Sequence, residues 1–386
     1  MSETFCILPF IHLEARSDSF IAPCCMSQEF YRKEDGTYYT LSKDTLSEVW
    51  NSKSIETLRE NLIGGKKPTA CESCWKEEDL GKESKRIREN RRWGVDTTPS
   101  LKFLDLKLGN TCNLKCRICS PGSSSNWLKE HKDLYGSDVV SSIARMVNSD
   151  KRSVMQWPEN NPAFWDDLDS HLEKVELFEI YGGEPFLISN HFSVLKKSID
   201  KGYSKNQRIH YNTNGTIFPE DAVNNIWPHF KEVDIMISID GIEEQFEYQR
   251  YPAQWEAVLA NIHKFRESFS GDLQICMTVS SLNVYYLPEY LEYFNNIGIN
   301  VWLNILYHPS VYSVCHLSQR VKEHVIEKLN NNLSLNQDMQ AIINYMSSST
   351  DDMQTKFIEK VILHDKYRKQ NYFSTFKEFG ELLCEI

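Results

Sequence analysis

No run of this chain is apolar over the roughly 20 residues that a membrane-spanning helix requires, so neither a spanning segment nor a membrane partner is expected. Met1–Phe10 lacks the charged and then apolar layout of a secretory signal, and an intracellular, cytoplasmic setting is expected. Positive charge is scarce. Lysine and arginine number 43 against 54 acidic residues, and the net charge of −11 argues against a general nucleic-acid binder, because neutralising phosphates takes a basic surface. Internal repeats and low-complexity segments are absent as well. The 386 residues, 41% hydrophobic and 25% charged, can bury a full-sized core and still carry a smaller second module.

Cysteine, by contrast, is present 11 times. Disulfides rarely persist in a reducing cytosol, so this count points to metal binding or catalysis. Placement is uneven. Cys6, Cys24, Cys25, Cys71, Cys74, Cys112, Cys116 and Cys119 all fall in the first third, and Cys276, Cys315 and Cys384 lie beyond it. Such clustering is a signature of bound metal.

The first hundred residues are irregular. Within them the apolar spacing of Leu46–Leu62 fits one amphipathic helix or two short ones, with Gly64 and Gly65 as the stop. A charged stretch then leads to a linker at Asp96–Pro99. After it, six short apolar runs alternate with helical patterns: Leu101–Leu108, Val175–Tyr181, Arg208–Asn212, Val233–Ile239, Leu273–Ser280 and Ile299–Leu306. Phe192–Lys201 and Trp255–Ser268 are two of the helical patterns. This alternation predicts an α/β fold with a parallel sheet, and six units suit a partial (β/α)6 barrel of TIM-like type. Chemistry in such folds gathers beyond the carboxyl ends of the strands. Three segments are expected: a cysteine-rich module over 1–97, the barrel over 98–315 and a helical extension over 316–386.

The first of these strands runs into Gly109-Asn110-Thr111-Cys112-Asn113-Leu114-Lys115-Cys116-Arg117-Ile118-Cys119. Three cysteines in this C-x₃-C-x₂-C spacing can converge on one iron–sulfur cluster. They leave one iron of a cubane without a protein thiolate, and an open metal position is what chemistry requires. The loop, with Asn110 and Asn113 about its first cysteine, resembles the cluster loop of the radical S-adenosylmethionine (SAM) superfamily. Three further segments, each closing a strand, resemble that family's SAM-facing motifs. They are Gly182-Gly183-Glu184-Pro185, Asn212-Thr213-Asn214-Gly215 and Ser238-Ile239-Asp240-Gly241. The family often has an aromatic before the third cysteine. Here Ile118 stands at this adenine-packing position, where an aliphatic residue is tolerated.

The resemblance implies a [4Fe–4S] cluster on Cys112, Cys116 and Cys119, with SAM chelated at its open iron. Reductive cleavage of SAM would then give a 5′-deoxyadenosyl radical that abstracts hydrogen from substrate. Gly182, Gly183, Glu184 and Pro185 would approach the SAM amino group, with Asn212 and Asn214 also facing the cofactor. Ser238 and Asp240 are expected on the ribose hydroxyls and Arg250 on the SAM carboxylate. Thr278 and Asn283 are further candidates. Flavodoxin or ferredoxin is the implied electron donor.

Cys6, Cys24, Cys25, Cys71 and Cys74 make a second constellation, and four thiolates suffice for a complete cluster or a zinc. Glu48-Val49-Trp50-Asn51-Ser52 with Leu58-Arg59 is similar to a stretch of SPASM and twitch domains, which hold auxiliary [4Fe–4S] clusters and normally follow the barrel. The expected ligands are Cys6, Cys24, Cys71 and Cys74, with Cys25 spare or substituting for Cys24.

Lys82, Lys85, Arg86, Arg88, Arg91 and Arg92 read as a solvated helix face, or else as a docking surface for an acidic leader. An insertion before the second barrel strand carries Trp127, Trp157 and Trp165, as a closing loop or as packing. His308 is a candidate proton carrier and Cys315 a candidate hydrogen donor, though a buried free thiol is the plainer reading. A peptide or protein side chain is the expected substrate. The alternatives are a dehydrogenase, epimerase or carbon–carbon bond former acting on a small metabolite, and, from another class, a zinc-binding interaction protein on a degenerate barrel.

Overall fold

The computed structural model describes residues 2–27, 29–79, 83–146 and 154–384. It contains a sheet of eight strands: β1 (His12–Ala15), β2 (Ile21–Ala22), β3 (Phe103–Lys107), β4 (Leu177–Tyr181), β5 (Arg208–Thr213), β6 (Glu232–Ser238), β7 (Asp272–Val279) and β8 (Val301–Ile305). Their order is β2-β1-β3-β4-β5-β6-β7-β8. The pairs β1–β3, β3–β4, β4–β5 and β7–β8 are parallel, and β1–β2 is antiparallel.

All six strands expected from the apolar runs are present, with ends within two residues of those expected. The two additional strands come from the cysteine-rich segment, and β1 aligns its Glu14 with Asp105 of β3. Four residues reading His-Leu-Glu-Ala offer no period by which a strand could be recognised. The chain forms two compact units. One comprises Met1–Asn113, Pro121–Tyr211 and Pro219–Asp234, and the other Leu114–Ser120, Asn212–Phe218 and Ile235–Ile386. Unit boundaries thus fall inside β5, β6 and the Cys112–Cys119 loop.

In the first unit, side chains alternate across the strands as the pleat requires. Leu104, Leu106, Phe178 and Ile180 point to one face and are buried; each such side chain stabilises the packing by roughly 1.5–3 kcal/mol. Asp105, Lys107, Glu179 and Tyr181 occupy the other face. The stretch 46–62 forms two helices, Leu46–Trp50 and Lys53–Ile63. Thr45 and Glu48 make a reciprocal capping box at the first, Ser52 caps the second, and Gly64 ends it. The insertion is helical too. Trp157, Phe164 and Trp165 stack on one another within 6.0 Å, and all three tryptophans of the insertion are buried as packing.

The basic run forms helix Lys85–Trp93; Lys82 lies outside the described residues. Arg88 and Arg91 are exposed, as a solvated face would have them. Arg86 is buried against Glu78 and donates to the Phe5 carbonyl at 2.7 Å. Beyond β8 in the second unit the chain is helical, including Gln319–Asn330, Met339–Met346, Gln354–Arg368 and Lys377–Cys384. No helix of the described residues is long and apolar enough to cross a membrane.

Candidate functional site

The amino-terminal cysteines arrive on different local structures. Cys6 lies just before the short helix Leu8–Ile11, Cys24 follows β2, Cys71 closes a 3-10 turn, and Cys74 sits in helix Glu72–Asp79. Long-range hydrogen bonds hold these pieces in place. Ser73 Oγ donates to the Met26 carbonyl at 3.1 Å, tying the Cys71–Cys74 helix to the Cys24 loop. The Ile7 amide donates to Asn90 Oδ1 at 2.7 Å, and Asn90 Nδ2 donates to the Phe5 carbonyl at 2.9 Å, fixing the turn that bears Cys6.

Cys6, Cys24, Cys71 and Cys74 are close enough to act on one another electrostatically. Burial pushes the Cys6 thiol well up, and Cys24, Cys71 and Cys74 each push further. The Cys24 thiol is pushed up to about 12 by burial and then by Cys25; Cys71 reaches about 12 through burial and Cys74. Crowded thiols in an apolar setting resist ionisation, so binding metal there would expel protons. None of the eleven cysteines forms a disulfide. Among the described residues, no three His, Cys, Asp or Glu side chains are already drawn in to metal-bonding distance. The donor set nevertheless fits a thiolate-bound cluster, being four thiols in one neighbourhood about Cys6, three of them also beside the buried Tyr31.

Cys25 is directed elsewhere. Its sulfur accepts a hydrogen bond from Lys85 Nζ at 3.0 Å, and Lys85 in turn acts electrostatically on Glu179 and Asp105.

Past β3, the chain turns at Gly109 (φ +66°) into the loop bearing Cys112. Backbone hydrogen bonds stitch this loop to the segment after β4. Gly183 N–H donates to Gly109 O at 3.0 Å, and Glu184 N–H donates to Thr111 O at 2.8 Å. A Cβ at Gly183 would lie 2.1 Å from Thr111 O, and one at Gly182 2.5 Å from Leu108 N. The two glycines therefore let the chain approach its own cysteine loop. Glu184 is buried, with a carboxylate oxygen accepting from Phe186 N–H at 3.2 Å.

In the second unit, Cys116 and Cys119 lie together, and Cys119 N–H donates to Cys116 O at 3.1 Å. Contact with Cys119 holds the Cys116 thiol below its ordinary range, against burial and with help from Arg250 and Arg368. Asp240 and Arg250 pair with each other, Arg250 Nη2 standing 2.9 Å from Asp240 Oδ2. Asp240 Oδ1 also accepts from Thr278 N–H at 2.9 Å. Both oxygens expected on a ribose are thus engaged within the protein, and Arg250 faces the two cysteines. Asn283 is buried and donates to the carbonyls of Asp240 and Thr278, at 3.0 Å each. Asn214 closes a turn onto Thr216, and Gly215 packs where a Cβ would meet Ile237 at 2.7 Å. Asn212 Oδ1 is a buried acceptor with no partner among the described residues, which suits a ligand donor. Ser238 ends β6, half-buried.

Sequence reasoning missed a clamp on the cysteine loop. Arg117 is 1% exposed and pairs with Asp365 of helix Gln354–Arg368. Its guanidinium also donates to Gln370 Oε1 at 2.9 Å and lies 4.1 Å from the Tyr248 ring centroid. Asp365 accepts as well from Tyr248 Oη at 2.7 Å and from Tyr372 N–H at 2.6 Å. An arginine between two cysteines was the available signal; its partner far downstream gave none. Cys315 is buried and within 3.4 Å of Ser313 Oγ, as a packing thiol would be.

Residues 6–75 match the family model of the SPASM iron–sulfur cluster-binding domain. An uncharacterized protein of Methanocaldococcus jannaschii is 27% identical over 208 residues, covering 52% of this chain and 60% of that protein. Among solved structures, native anSMEcpe with bound AdoMet and Cp18Cys peptide aligns at TM-score 0.41 and 16% identity, over 64% of this chain and 62% of that one. Native anSMEcpe with bound AdoMet aligns at TM-score 0.41 and 19% identity, over 62% and 61%. This chain spans about 60% of the length of the relatives it matches.

Proposed function

We propose that this chain is a radical SAM enzyme with two [4Fe–4S] clusters, acting on a peptide or protein side chain. The observation that carries the reading is the loop Cys112–Cys119, whose approach from β3 through Gly109 and Thr111 is held by backbone hydrogen bonds from Gly183 and Glu184 beyond β4. Cys112, Cys116 and Cys119 would hold the SAM-binding cluster. Cys6, Cys24, Cys71 and Cys74 would hold the auxiliary one, within the matched iron–sulfur domain. When bound, the cluster and SAM supply one-electron cleavage and a radical able to abstract hydrogen.

The chain's own residues have defined tasks in this scheme. Arg250 neutralises thiolate charge at Cys116 and Cys119, and Asp240 holds Arg250 in position. Asn212 offers an acceptor to the cofactor, with Asn214 and Ser238 alongside it in the same unit. Gly182, Gly183, Glu184 and Pro185 set the course of the cysteine loop. In this reading the chain divides into an auxiliary module (1–97), a catalytic α/β region (98–315) and a helical extension (316–386), with flavodoxin or ferredoxin as the reductant.

The test is iron and sulfide content after anaerobic reconstitution, for the native chain and for a Cys112/Cys116/Cys119→Ala variant. About eight irons falling to about four, with dithionite-dependent 5′-deoxyadenosine from the native chain alone, is the expected result. Zinc in place of iron, or no SAM cleavage under reduction, overturns it and favours a zinc-binding interaction protein.

A further inference from the structure

Opposite the layer of Leu104, Leu106, Phe178 and Ile180, the first unit's strands carry a polar face. Register places Glu14 of β1 beside Asp105 of β3, and Asp105 beside Glu179 of β4. Three carboxyl groups therefore stand in a row on adjacent parallel strands, whose backbones run about 4.8 Å apart. Lys107 and Tyr181 pair one step further along β3 and β4, His12 lies two residues before Glu14, and His210 of β5 pairs with Glu179 on its other side.

A hydrogen-bond inventory of this row is one-sided. Glu14 Oε1 accepts from Lys107 Nζ and has Arg16 Nε at 3.5 Å, while its Oε2 has no hydrogen-bond partner among the described residues. Neither oxygen of Asp105 accepts a bond within hydrogen-bond distance, although, against burial, His12, Lys107 and Tyr181 face it and hold its carboxyl below the ordinary range. His12 Nδ1 stands 3.0 Å from the Pro23 carbonyl oxygen. A carbonyl can only accept, so Nδ1 carries a hydrogen. Nε2 faces Asp105 Oδ2 at 3.9 Å, outside hydrogen-bond distance, and has no other partner among the described residues. His12, Glu14 and Asp105 are all 0% exposed.

Against one open donor, Arg16 Nε, the hydrogen-bonding capacity left open on Glu14 and Asp105 belongs to acceptors. The two nearby lysines are engaged already, Lys107 with Glu14 and Lys85 with Cys25. Buried acceptors without donors are costly, and two carboxylates side by side repel each other. A cation carrying several N–H donors relieves both. Access exists, since Glu179, Tyr181, Lys107 and Lys85 are only half-buried.

The geometry points to a binding site for a protonated amine or guanidine of the substrate, seated between Asp105 and Glu179, with His12 and Glu14 behind it. This names the substrate class of the enzyme proposed above, and it rests on that reading for what is done to the bound molecule. The titration of the row agrees. Burial, and then Asp105, raise the Glu179 carboxyl to about 7, against Lys85, His12 and Arg92, which lower it. A bound cation would displace that proton, so binding at neutral pH releases hydrogen ion and tightens as pH rises.

The test titrates reconstituted protein, without reductant, with Nα-acetyl-lysine methylamide, its norleucine and glutamate counterparts, and 1,5-diaminopentane. Binding is read by calorimetry in buffers of different ionisation heat and by hydrogen exchange over residues 12–15, 103–107 and 177–181. The lysine derivative or the diamine should bind saturably with proton release and protect these segments, and the norleucine derivative should not. Whichever of the two binds more tightly identifies a side chain or a free amine as the source. Glu179→Gln, checked by circular dichroism, should weaken binding about tenfold or more. If that variant does not fold, proton release by the native protein decides. No saturable binding, equal binding of norleucine, preference for glutamate, or binding without proton release overturns the assignment. SAM cleavage is measured separately under dithionite, so failure of either reading leaves the other standing.

Discussion

Lys85 Nζ donates to the sulfur of Cys25 at 3.0 Å and so removes that cysteine from the group formed by its neighbour Cys24. The two cysteines open a tight turn, closed by Ser27 N–H donating to Cys24 O at 3.0 Å, and Cys24 acts on the auxiliary thiol Cys6 while Cys25 acts on Tyr181 of the sheet's polar face. Cys24→Ala should therefore lower iron from about eight to about four per chain. Cys25→Ala should leave it near eight. Iron and sulfide analysis separates the two, and the reverse pattern would make Cys25 the ligand.

Gly183→Ala places a Cβ 2.1 Å from the Thr111 carbonyl oxygen, a backbone atom that cannot rotate away. The loop bearing Cys112 must shift. A loss of about 1–3 kcal/mol in urea unfolding is expected, together with a fall of at least about tenfold in 5′-deoxyadenosine formation. Unchanged SAM cleavage would show that the loop does not need its register against Gly183.

Stability should depend on pH through Glu179. Its folded-state carboxyl titrates at about 7, above the ordinary 4.5. The protonated form is thus favoured by folding, and that stabilisation, complete below about 4.5, is lost as pH rises through 7. The size is on the order of 2–3 kcal/mol. In Glu179→Gln the fall in unfolding free energy between pH 5 and pH 8 should be smaller by about that amount. Parallel profiles for the two proteins would refute the shift.

Asp365→Ala leaves the Arg117 guanidinium buried without its carboxylate. A cost of about 3–5 kcal/mol is expected, seen in denaturant unfolding, with iron loss faster than in the native protein. Asp365→Asn keeps an acceptor and should cost less. A clamp of no consequence would leave both variants like the native chain.

What could be read from the sequence followed from periodicity and motif spacing. Runs such as Val233–Ile239 alternate cleanly and became strands, and helix Trp255–Ser268 was bounded to the residue. Leu46–Leu62 left one helix or two open, and the Ser52 cap decides for two. β1 was invisible because four residues carry no period, and with it went the register that aligns Glu14, Asp105 and Glu179. Each acid alone looked like an ordinary strand residue. Asp240 and Arg250 each stood out by motif position, yet separation in sequence could not reveal that they pair with each other.

The partner of Arg117 lies 248 residues downstream. On a ribosome, the cysteine loop emerges long before the helix that grips it is made. Loading of iron into that loop in its final shape is consequently a late event in the life of each molecule. A chain truncated before Asp365 would carry every cysteine of the loop and still lack the brace that holds it.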